Sequence, residues 1–333
     1  MNILVTAPFE EEDILKLQRF GSVIYRPWKT NNHPFSPSEL IQLLSESDAD
    51  ALIIEHDTVT STVFEQIDLK FIGVCRGTPS NVDLAAATRH HVPVFHTPAR
   101  NAQAVAEYVL AEIISMLRKI PESKRWLQER SWTGLSHDSY LQFRGTELSG
   151  KTVGLVGLGG VGRRIAQLLK AFGCQIQYFD PYLAASPDPD YRSTRIEHVF
   201  ATSDIVSIHL PVTKETIGSI DSRLLRQMKP DAIFVNSARA AVVDRKSLFQ
   251  VLKEGSISGA IVDVFYAEPP DDEDYEMMNL PNVSATPHIA GNTFEVDKHH
   301  AEIMLEALHS WEQKHQPPKY LVNPEVQAHH TAS

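Results

Sequence analysis

Cysteine is scarce: Cys75 and Cys174 are the whole complement in 333 residues. Two thiols cannot build a disulfide framework, so a reducing, cytoplasmic setting is expected. No apolar run approaches the roughly 18 residues that a membrane span requires. The opening stretch MNILVTAPFEEED has no basic start leading into a long apolar segment, so neither a membrane anchor nor a secretory leader is expected. Positive charge is also short, with 31 Lys and Arg against 42 Asp and Glu and a formal net charge of −11. That argues against non-specific nucleic-acid binding, which needs clustered cations to neutralise phosphates, and no nucleic-acid partner is expected. An anionic small molecule is not excluded, since a few side chains set the charge of a site. Metal-ligand spacing is missing too: there is no H-E-x-x-H and no cysteine pair. The pairs His90-His91, His299-His300 and His329-His330 are read as solvated, and no metal is expected. Cys174 opens a predicted strand and is read as packing. No activating partner is placed beside Cys75, so no nucleophilic role is assigned to it.

What is present is an ordinary globular composition, 42% apolar and 22% charged, in a chain long enough for two domains. Short apolar runs at Ile3–Val5, Val23–Tyr25, Ala51–Ile54, Phe71–Val74 and Val92–Phe95 alternate with helical stretches. One of these helices, over 11–20, carries Ile14, Leu15 and Leu17 on one side. Strand and helix in alternation predict a parallel sheet covered on both faces. A long helix follows Asn101, with Val105, Val109, Ile113, Met116 and Leu117 at three- and four-residue spacing. A second alternating series then places strands at Thr152–Val156, Gln175–Phe179, Ile205–His209, Ala232–Asn236, Ala260–Val264 and Val283–Ala285. Its regularity is that of a doubly wound fold. A last helix bears Val296, Ile303, Met304, Ala307, Leu308 and Trp311 on one face, and the tail from Gln327 is expected to fray.

Gly157-Leu158-Gly159-Gly160-Val161-Gly162 has the spacing G-x-G-x-x-G. A bare glycine pattern arises by chance, but this one follows an apolar strand and opens a helix with Val161, Ile165, Leu168, Leu169 and Phe172 read as inward. That context suits a tight turn, close backbone approach to a pyrophosphate, and a helix N-terminus facing its charge. Asp180 ends the next strand, where a carboxylate accepts hydrogen bonds from ribose hydroxyls and repels a 2′-phosphate. With Pro181 and Tyr182 following and no Arg at hand, NAD is expected over NADP. A tight turn without a ligand is the bland alternative.

Arg239, Glu268 and His288 follow three successive predicted strands of this series, and residues past the carboxyl ends of parallel strands gather where ligands bind. Each alone would ordinarily be a salt bridge, a solvated side chain or a packed histidine. Together they provide what oxidation of a 2-hydroxy acid needs. An Arg clamps the carboxylate, a His removes the hydroxyl proton, and a Glu bonded to that His fixes its tautomer.

The ordered segments Asn236-Ser237-Ala238-Arg239 with Val243-Asp244, Val262-Asp263-Val264-Phe265-Tyr266-Ala267-Glu268-Pro269, and Thr286-Pro287-His288-Ile289-Ala290-Gly291 resemble successive signatures of the D-isomer-specific 2-hydroxyacid dehydrogenases. Asn101 to Glu107, His209-Leu210-Pro211, Thr213 to Thr216 and Leu321-Val322-Asn323-Pro324 extend the likeness over most of the chain. The resemblance is nearest to the phosphoglycerate dehydrogenase-like branch. With the chain ending soon after the closing motif, no carboxy-terminal regulatory domain is expected.

The resemblance implies an α/β protein of two doubly wound parallel-sheet domains. A Rossmann NAD-binding domain over 102–291 is inserted into a flavodoxin-like substrate domain made of 1–101 and 292–333. It implies Arg239 for the substrate carboxylate, His288 as acid/base and Glu268 as its partner. It further implies that Asp263 holds the nicotinamide carboxamide, with Ser237, Ala238 and Gly291 lining that pocket and His209 and Pro211 on the adenine side. A homodimer through the cofactor domain is implied as well, with an arm over Trp126 to Phe143 carrying Trp126, Trp132 and Leu141, although those residues could equally be core.

Two departures bear on the substrate. The loop after Val74 reads Cys75-Arg76-Gly77-Thr78-Pro79-Ser80-Asn81-Val82-Asp83 where the family commonly has a Gly-x-Gly-x-Asp stretch. Pro79 removes a backbone donor and Arg76 brings a cation. Arg76 is therefore expected to contact the substrate carboxylate or a more distal anion, helped by Gly77 and Asn101. Pairing of Arg76 with a neighbouring acid is the alternative. Ala240 stands where a glycine commonly follows the Arg. Overall the expectation is hydride transfer between NAD and C2 of a D-2-hydroxy or 2-keto acid such as glycerate or phosphoglycerate, in a cleft closed by domain motion. The rivals are an NADH-sensing corepressor-like binding protein and a formate or phosphite dehydrogenase on the same scaffold.

Overall fold

A computed structural model describes residues 1–312 and 318–326. The tail from Gln327, with the His329-His330 pair, lies outside the described residues. The chain divides into two compact units, Met1–Asn101 with the segment from Thr293 onward, and Ala102–Asn292. Among the described residues no helix is long and apolar enough to cross a membrane.

The first unit holds β1 (Asn2–Val5), β2 (Ser22–Tyr25), β3 (Ala51–Ile54), β4 (Ile72–Val74) and β5 (Val94–His96) in the order β2-β1-β3-β4-β5. All pairings are parallel, and the order is that of a flavodoxin-like sheet. Side chains alternate between the faces. Ile3, Val5, Ala51 and Ile53 enter one core, while Leu4, Leu52 and Ile54 enter the other. Because both faces are covered, these strands are apolar at nearly every position, and that made them legible as runs. β5 begins two residues later than expected, since Pro93 has no N–H to give to a ladder.

The segment after Thr293 belongs to this unit. Its helix Glu295–Glu312 lays Ala301, Met304, Ala307 and Leu308 on the Ile3–Ile53 face. The closing stretch then runs antiparallel to β5. Val322 N–H donates to Val94 O at 2.8 Å and His96 N–H to Tyr320 O at 3.0 Å. The buried Asn323 side chain accepts from Val94 N–H at 2.8 Å and donates to Val92 O at 2.9 Å. The Leu321-Val322-Asn323-Pro324 motif thus covers an edge that would otherwise expose unpaired backbone groups.

The second unit holds β6 (Thr152–Val156), β7 (Gln175–Phe179), β8 (Arg192–Ser193), β9 (Ile205–Ile208), β10 (Ile233–Asn236), β11 (Gly259–Val262) and β12 (Val283–Ala285). Their order is β12-β11-β10-β9-β6-β7-β8, parallel throughout. Connections leave β6 toward β7 on one side and return to β9 on the other, so β6 and β9 flank the switch point where doubly wound sheets bind ligands. The helices Ala102–Leu117 and Gly160–Ala171 cover one face through Val105, Val109, Ile113, Ile165 and Leu169. The two-residue β8 was not anticipated, because it carries no apolar run to signal it.

Two side-chain orientations differ from expectation, and a third point settles an alternative. Leu15 is 60% exposed, and Asp13 rather than Leu15 is buried beside Leu17. Phe172 is 48% exposed, because the helix stops at Ala171 and Gly173 takes a φ of +82° that turns the chain away from the apolar stripe. The stretch 126–143 is not core: Trp132, Leu135, Tyr140 and Leu141 are exposed, while the Trp126 ring lies 5.4 Å from those of Trp132 and Phe143.

Candidate active site

β6 ends at Val156 and the chain turns at Gly157, whose φ of +94° is a conformation that side chains resist. A Cβ at Gly157 would stand 2.7 Å from His209 O, and one at Gly162 would stand 2.4 Å from Gly157 O. Gly159 is different, being exposed with open space where a Cβ would project. The outer glycines are thus required by the protein's own packing, whereas Gly159 leaves its backbone open to a ligand. It caps the twelve-residue helix Gly160–Ala171 without a side-chain bond. The free amides of that first turn, which includes Gly160 and Val161, offer the positive helix end to a phosphate.

Asp180 follows β7 and points back to this turn. Its Oδ2 accepts from Leu158 N–H at 2.8 Å and its Oδ1 from Tyr182 N–H at 3.0 Å. Each oxygen retains acceptor capacity. Beyond β9, His209 N–H donates to Val156 O at 2.8 Å, and its ring Nε2 lies 2.9 Å from Ser207 Oγ. Burial pushes the His209 imidazole down to about 4. Pro211 is exposed.

The carboxyl ends of β10, β11 and β12 carry the ionisable residues, and these strands are neighbours in the sheet. After β10, the buried Asn236 side chain accepts from Ala238 N–H and donates to Arg239 O, both at 3.0 Å. This locks the backbone of Ala238 and Arg239 and leaves the Arg239 side chain exposed, with Nη1 donating to Ala238 O at 2.6 Å. Ser237 Oγ is buried and meets no protein partner. Such an orphaned hydroxyl, together with the open Gly159 backbone, fits a bound dinucleotide with a polar amide end.

His288 and Glu268 are brought together. His288 Nδ1 lies 2.8 and 2.9 Å from the two Glu268 carboxylate oxygens, and both side chains are more than 40% exposed. With Nδ1 as donor to the carboxylate, Nε2 is the unprotonated nitrogen of a partly exposed ring. His288 takes a φ of +55°, and its N–H donates to Thr286 O at 2.9 Å. Asp263 governs this turn. Fully buried, its carboxylate accepts from Ile289 N–H and Ala290 N–H at 2.8 Å and from Thr286 Oγ1 at 2.5 Å. What the structure displays for Asp263 is therefore an anchor for residues 286–290, with half-buried Gly291 next in the chain. Tyr108 Oη lies 2.5 Å from Thr286 Oγ1 and extends the chain of hydroxyls. Burial keeps that phenol well above its ordinary pKa. Neither Tyr108 nor Thr286 was singled out from sequence, for a hydroxyl gains this role through a contact that no spacing reveals.

In the first unit, Arg76 and Gly77 follow β4, where Gly77 O accepts from His96 Nδ1 at 2.8 Å; Asn101 ends the unit half-buried. Cys75 is fully buried and its thiol is pushed well up by that burial, consistent with no nucleophilic role. His300 corrects an expectation. It is not solvated but 0% exposed, with Nε2 2.6 Å from Pro8 O and Nδ1 3.4 Å from Arg100 Nη1. The helix Glu295–Glu312 presses it into the core. Glu55, Asp297 and His300 gather closely enough to suggest a metal. However, Arg100 pairs with Glu55 at 3.0 Å and Lys29 with Asp297 at 2.6 Å, so the acids already have their counter-charges.

Comparison with known proteins is consistent with this geometry. Residues 110–290 match the family described as D-isomer specific 2-hydroxyacid dehydrogenase, NAD binding domain. YoaD of Bacillus subtilis (strain 168), by name a 2-hydroxyacid dehydrogenase, is 52% identical over 93% of this chain and 91% of its own. The D-3-phosphoglycerate dehydrogenase of the same organism is 34% identical over 79% of this chain, which spans about half of that protein, 51%. Among solved structures, an acyclic imino acid reductase in complex with NADPH and D-Arg superposes with a TM-score of 0.81 at 26% identity, over 97% of this chain and 100% of that one.

His209 sets a pH dependence. Its folded pKa of about 4 lies below the unfolded value of about 6.5, so the unfolded chain binds the extra proton between them. The associated stability is complete above pH 6.5 and is lost as pH falls toward 4. Between pH 7.5 and 5, urea denaturation is expected to show a loss of stability about 1–2 kcal/mol greater in wild type than in His209→Gln, which keeps the other buried histidines. Equal losses in the two proteins would contradict a buried neutral imidazole.

Proposed function

Since the chain belongs to the D-isomer specific 2-hydroxyacid dehydrogenase family and is an NAD-dependent oxidoreductase, we propose that it interconverts a small D-2-hydroxy acid and its 2-keto acid, with glycerate, phosphoglycerate or a related sugar-derived acid as substrate. The observation that carries this reading is the His288–Glu268 pair at 2.8 Å, set past the ends of two adjacent strands. A bound nicotinamide supplies the hydride acceptor or donor. Every other function falls to the chain's own residues.

Arg239 binds the substrate carboxylate by a charge-assisted fork and draws electron density from the neighbouring carbon. His288 Nε2 removes the hydroxyl proton during oxidation and returns it during reduction, while Glu268 holds Nδ1–H and steadies the ring. Ser237, Ala238 and Gly291 line the carboxamide end, and Asp263 supports them by fixing the 286–290 turn. Gly157, Gly159, Gly160, Val161 and Gly162 form the pyrophosphate turn, Asp180 takes the ribose hydroxyls, and His209 and Pro211 border the adenine side. A 2′-phosphate would meet the Asp180 charge, which favours NAD. Arg76, Gly77 and Asn101 supply further contacts to the anionic substrate.

The test is NADH oxidation followed by absorbance over hydroxypyruvate, glyoxylate, pyruvate and 3-phosphohydroxypyruvate. His288→Ala is expected to lower kcat by about 10²–10⁴ with NADH affinity retained. Silence across the panel with NADH still bound would overturn the hydroxy-acid assignment, and formate, phosphite and peptide partners would be tried next. For Arg76, the Ala variant is expected to raise KM about tenfold or more with little change in kcat, and an unchanged KM would remove Arg76 from the site.

The exposed Trp132, Leu135, Tyr140 and Leu141 support a homodimer through the second unit, since so many large apolar side chains are seldom left to water. Light scattering is expected to give twice the chain mass for wild type and half of that for Leu141→Lys combined with Tyr140→Lys. A monomeric wild type would refute the dimer.

A further inference from the structure

We propose that Arg245 is a positioning residue that holds Glu268 against the His288 ring by clamping both flanks of the loop on which Glu268 sits. The inference rests on the His288–Glu268 pair being the acid/base couple. Glu268 needs such help. Its side chain is 44% exposed, and the backbone bond it accepts, from Phe265 N–H, is long at 3.5 Å. His288 by contrast comes on a turn bound to a buried carboxylate.

Arg245 opens the helix Arg245–Lys253, beside the Asp244 that caps it by accepting from Ser247 N–H at 2.9 Å. Its guanidinium grips both Asp271 oxygens, with Nη1 2.9 Å from Oδ2 and Nη2 on Oδ1. Nη2 also lies 3.1 Å from Asp274 Oδ1, and Nη1 lies 3.4 Å from Glu273. The guanidinium carbon stands 5.0 Å from the Tyr266 ring centroid, a cation–π distance, while Tyr266 Oη donates to Val243 O at 2.7 Å.

Each of these contacts reaches the Glu268 loop. Asp274 has no exposed surface, and its second oxygen accepts from Ala267 N–H at 3.3 Å. Asp271 caps the helix Asp272–Met278 through Asp274 N–H at 2.9 Å, and the Arg245 hydrogen bond holds its carboxyl down to about 2. One cation therefore fixes residues 266 and 267 before Glu268 and 271 and 274 after it. Removing it would strand the Asp274 carboxylate without a counter-charge, a state that buried acids relieve by moving to water. The loop would open, Glu268 would gain rotamers, and His288 Nδ1 would lose its acceptor. A lysine keeps the charge but neither the two-oxygen grip nor the flat stack on Tyr266.

The experiment uses cofactor-free protein labelled with nitrogen-15 histidine, with the His288 resonances assigned by their loss in His288→Gln. Wild type is expected to show one tautomer, protonated at Nδ1. Arg245→Met is expected to show a mixture of both, with Arg245→Lys between. Arg245→Met combined with Asp274→Asn removes the stranded charge, so it is expected to recover thermal stability but not the single tautomer. That keeps the test decisive if the single variant unfolds. With a 2-keto acid that wild type reduces, Arg245→Met is expected to lower kcat by roughly 10- to 100-fold at unchanged NADH affinity. In a Glu268→Gln background it should add almost nothing, because both changes break the same link. A lowered melting temperature with an unaltered His288 tautomer, or losses that multiply in the double variant, would reduce Arg245 to a structural residue. If no 2-keto acid is reduced, the proposed reaction fails while the tautomer measurement still decides the positioning role.

Discussion

The Asp263 carboxylate has no exposed surface, and it takes hydrogen bonds from Thr286 Oγ1 and from the amides of Ile289 and Ala290. Those three donors bend the chain beyond β12 and leave His288 in a left-handed conformation. A non-glycine residue there costs about 1–2 kcal/mol, while each bond to a charged acceptor contributes about 1.5–3 kcal/mol. The three bonds offset that cost and much of the cost of burying the carboxylate, so the imidazole is carried on a hydrogen-bonded backbone turn. Tyr108 carries the same constraint back to the helix Ala102–Leu117 through Thr286, which ties the His288 turn to the helix that covers the sheet.

Three histidines show how environment separates structure from chemistry. His300 is sealed in the first unit with both ring nitrogens engaged, to Pro8 O and Arg100, and burial lowers its pKa. His209 is held by Ser207 and is also pushed down by burial. His288 has one nitrogen fixed by a carboxylate and the other without a protein partner among the described residues, on a ring that is partly exposed. A histidine that exchanges protons with a ligand needs that asymmetry: one nitrogen to set the tautomer and one to do the transfer. The acids divide similarly. Burial raises the pKa of Glu55, but Arg100, His56, His300 and the Trp28 hydrogen bond together outweigh it and hold the group below its ordinary value, so its charge is spent on the fold.

Much of this was legible in the sequence, for identifiable reasons. Parallel strands covered on both faces are apolar runs, so Ala51–Ile54 and Ile233–Asn236 stand out from the polar segments between them. The glycine turn was legible because its constraints are local: a strand, a positive φ at Gly157 and a helix start occupy consecutive residues. The burial of Asp263, the grip of Arg245 on Asp274 and the engagement of His300 were not legible. Each depends on a partner many residues away or on which face of a helix meets the sheet. Leu15 and Phe172 misled for a related reason, since the helical stripe loses its meaning within a residue or two of a terminus. His288 and Glu268 lay between these cases: their residue types and positions after successive strands marked them and the family resemblance implied their pairing, while the structure supplies its distance.

The rigidity of the second unit is distributed unevenly, and the distribution has a chemical logic. Asn236 fixes the backbone at Ala238 and Arg239, Asp263 fixes the turn that bears His288, and Arg245 with Asp274 fixes the flanks of Glu268. The side-chain ends of Arg239, Glu268 and His288 are nonetheless exposed. Charged ends in water interact weakly with a ligand, because solvent screens them; the same ends on a fixed backbone become strong once a ligand displaces that solvent. If these three residues meet substrate as proposed, anchoring the backbone while wetting the side chains postpones most of the electrostatic gain until substrate is present. The orienting cost, meanwhile, has already been met by buried hydrogen bonds within the fold.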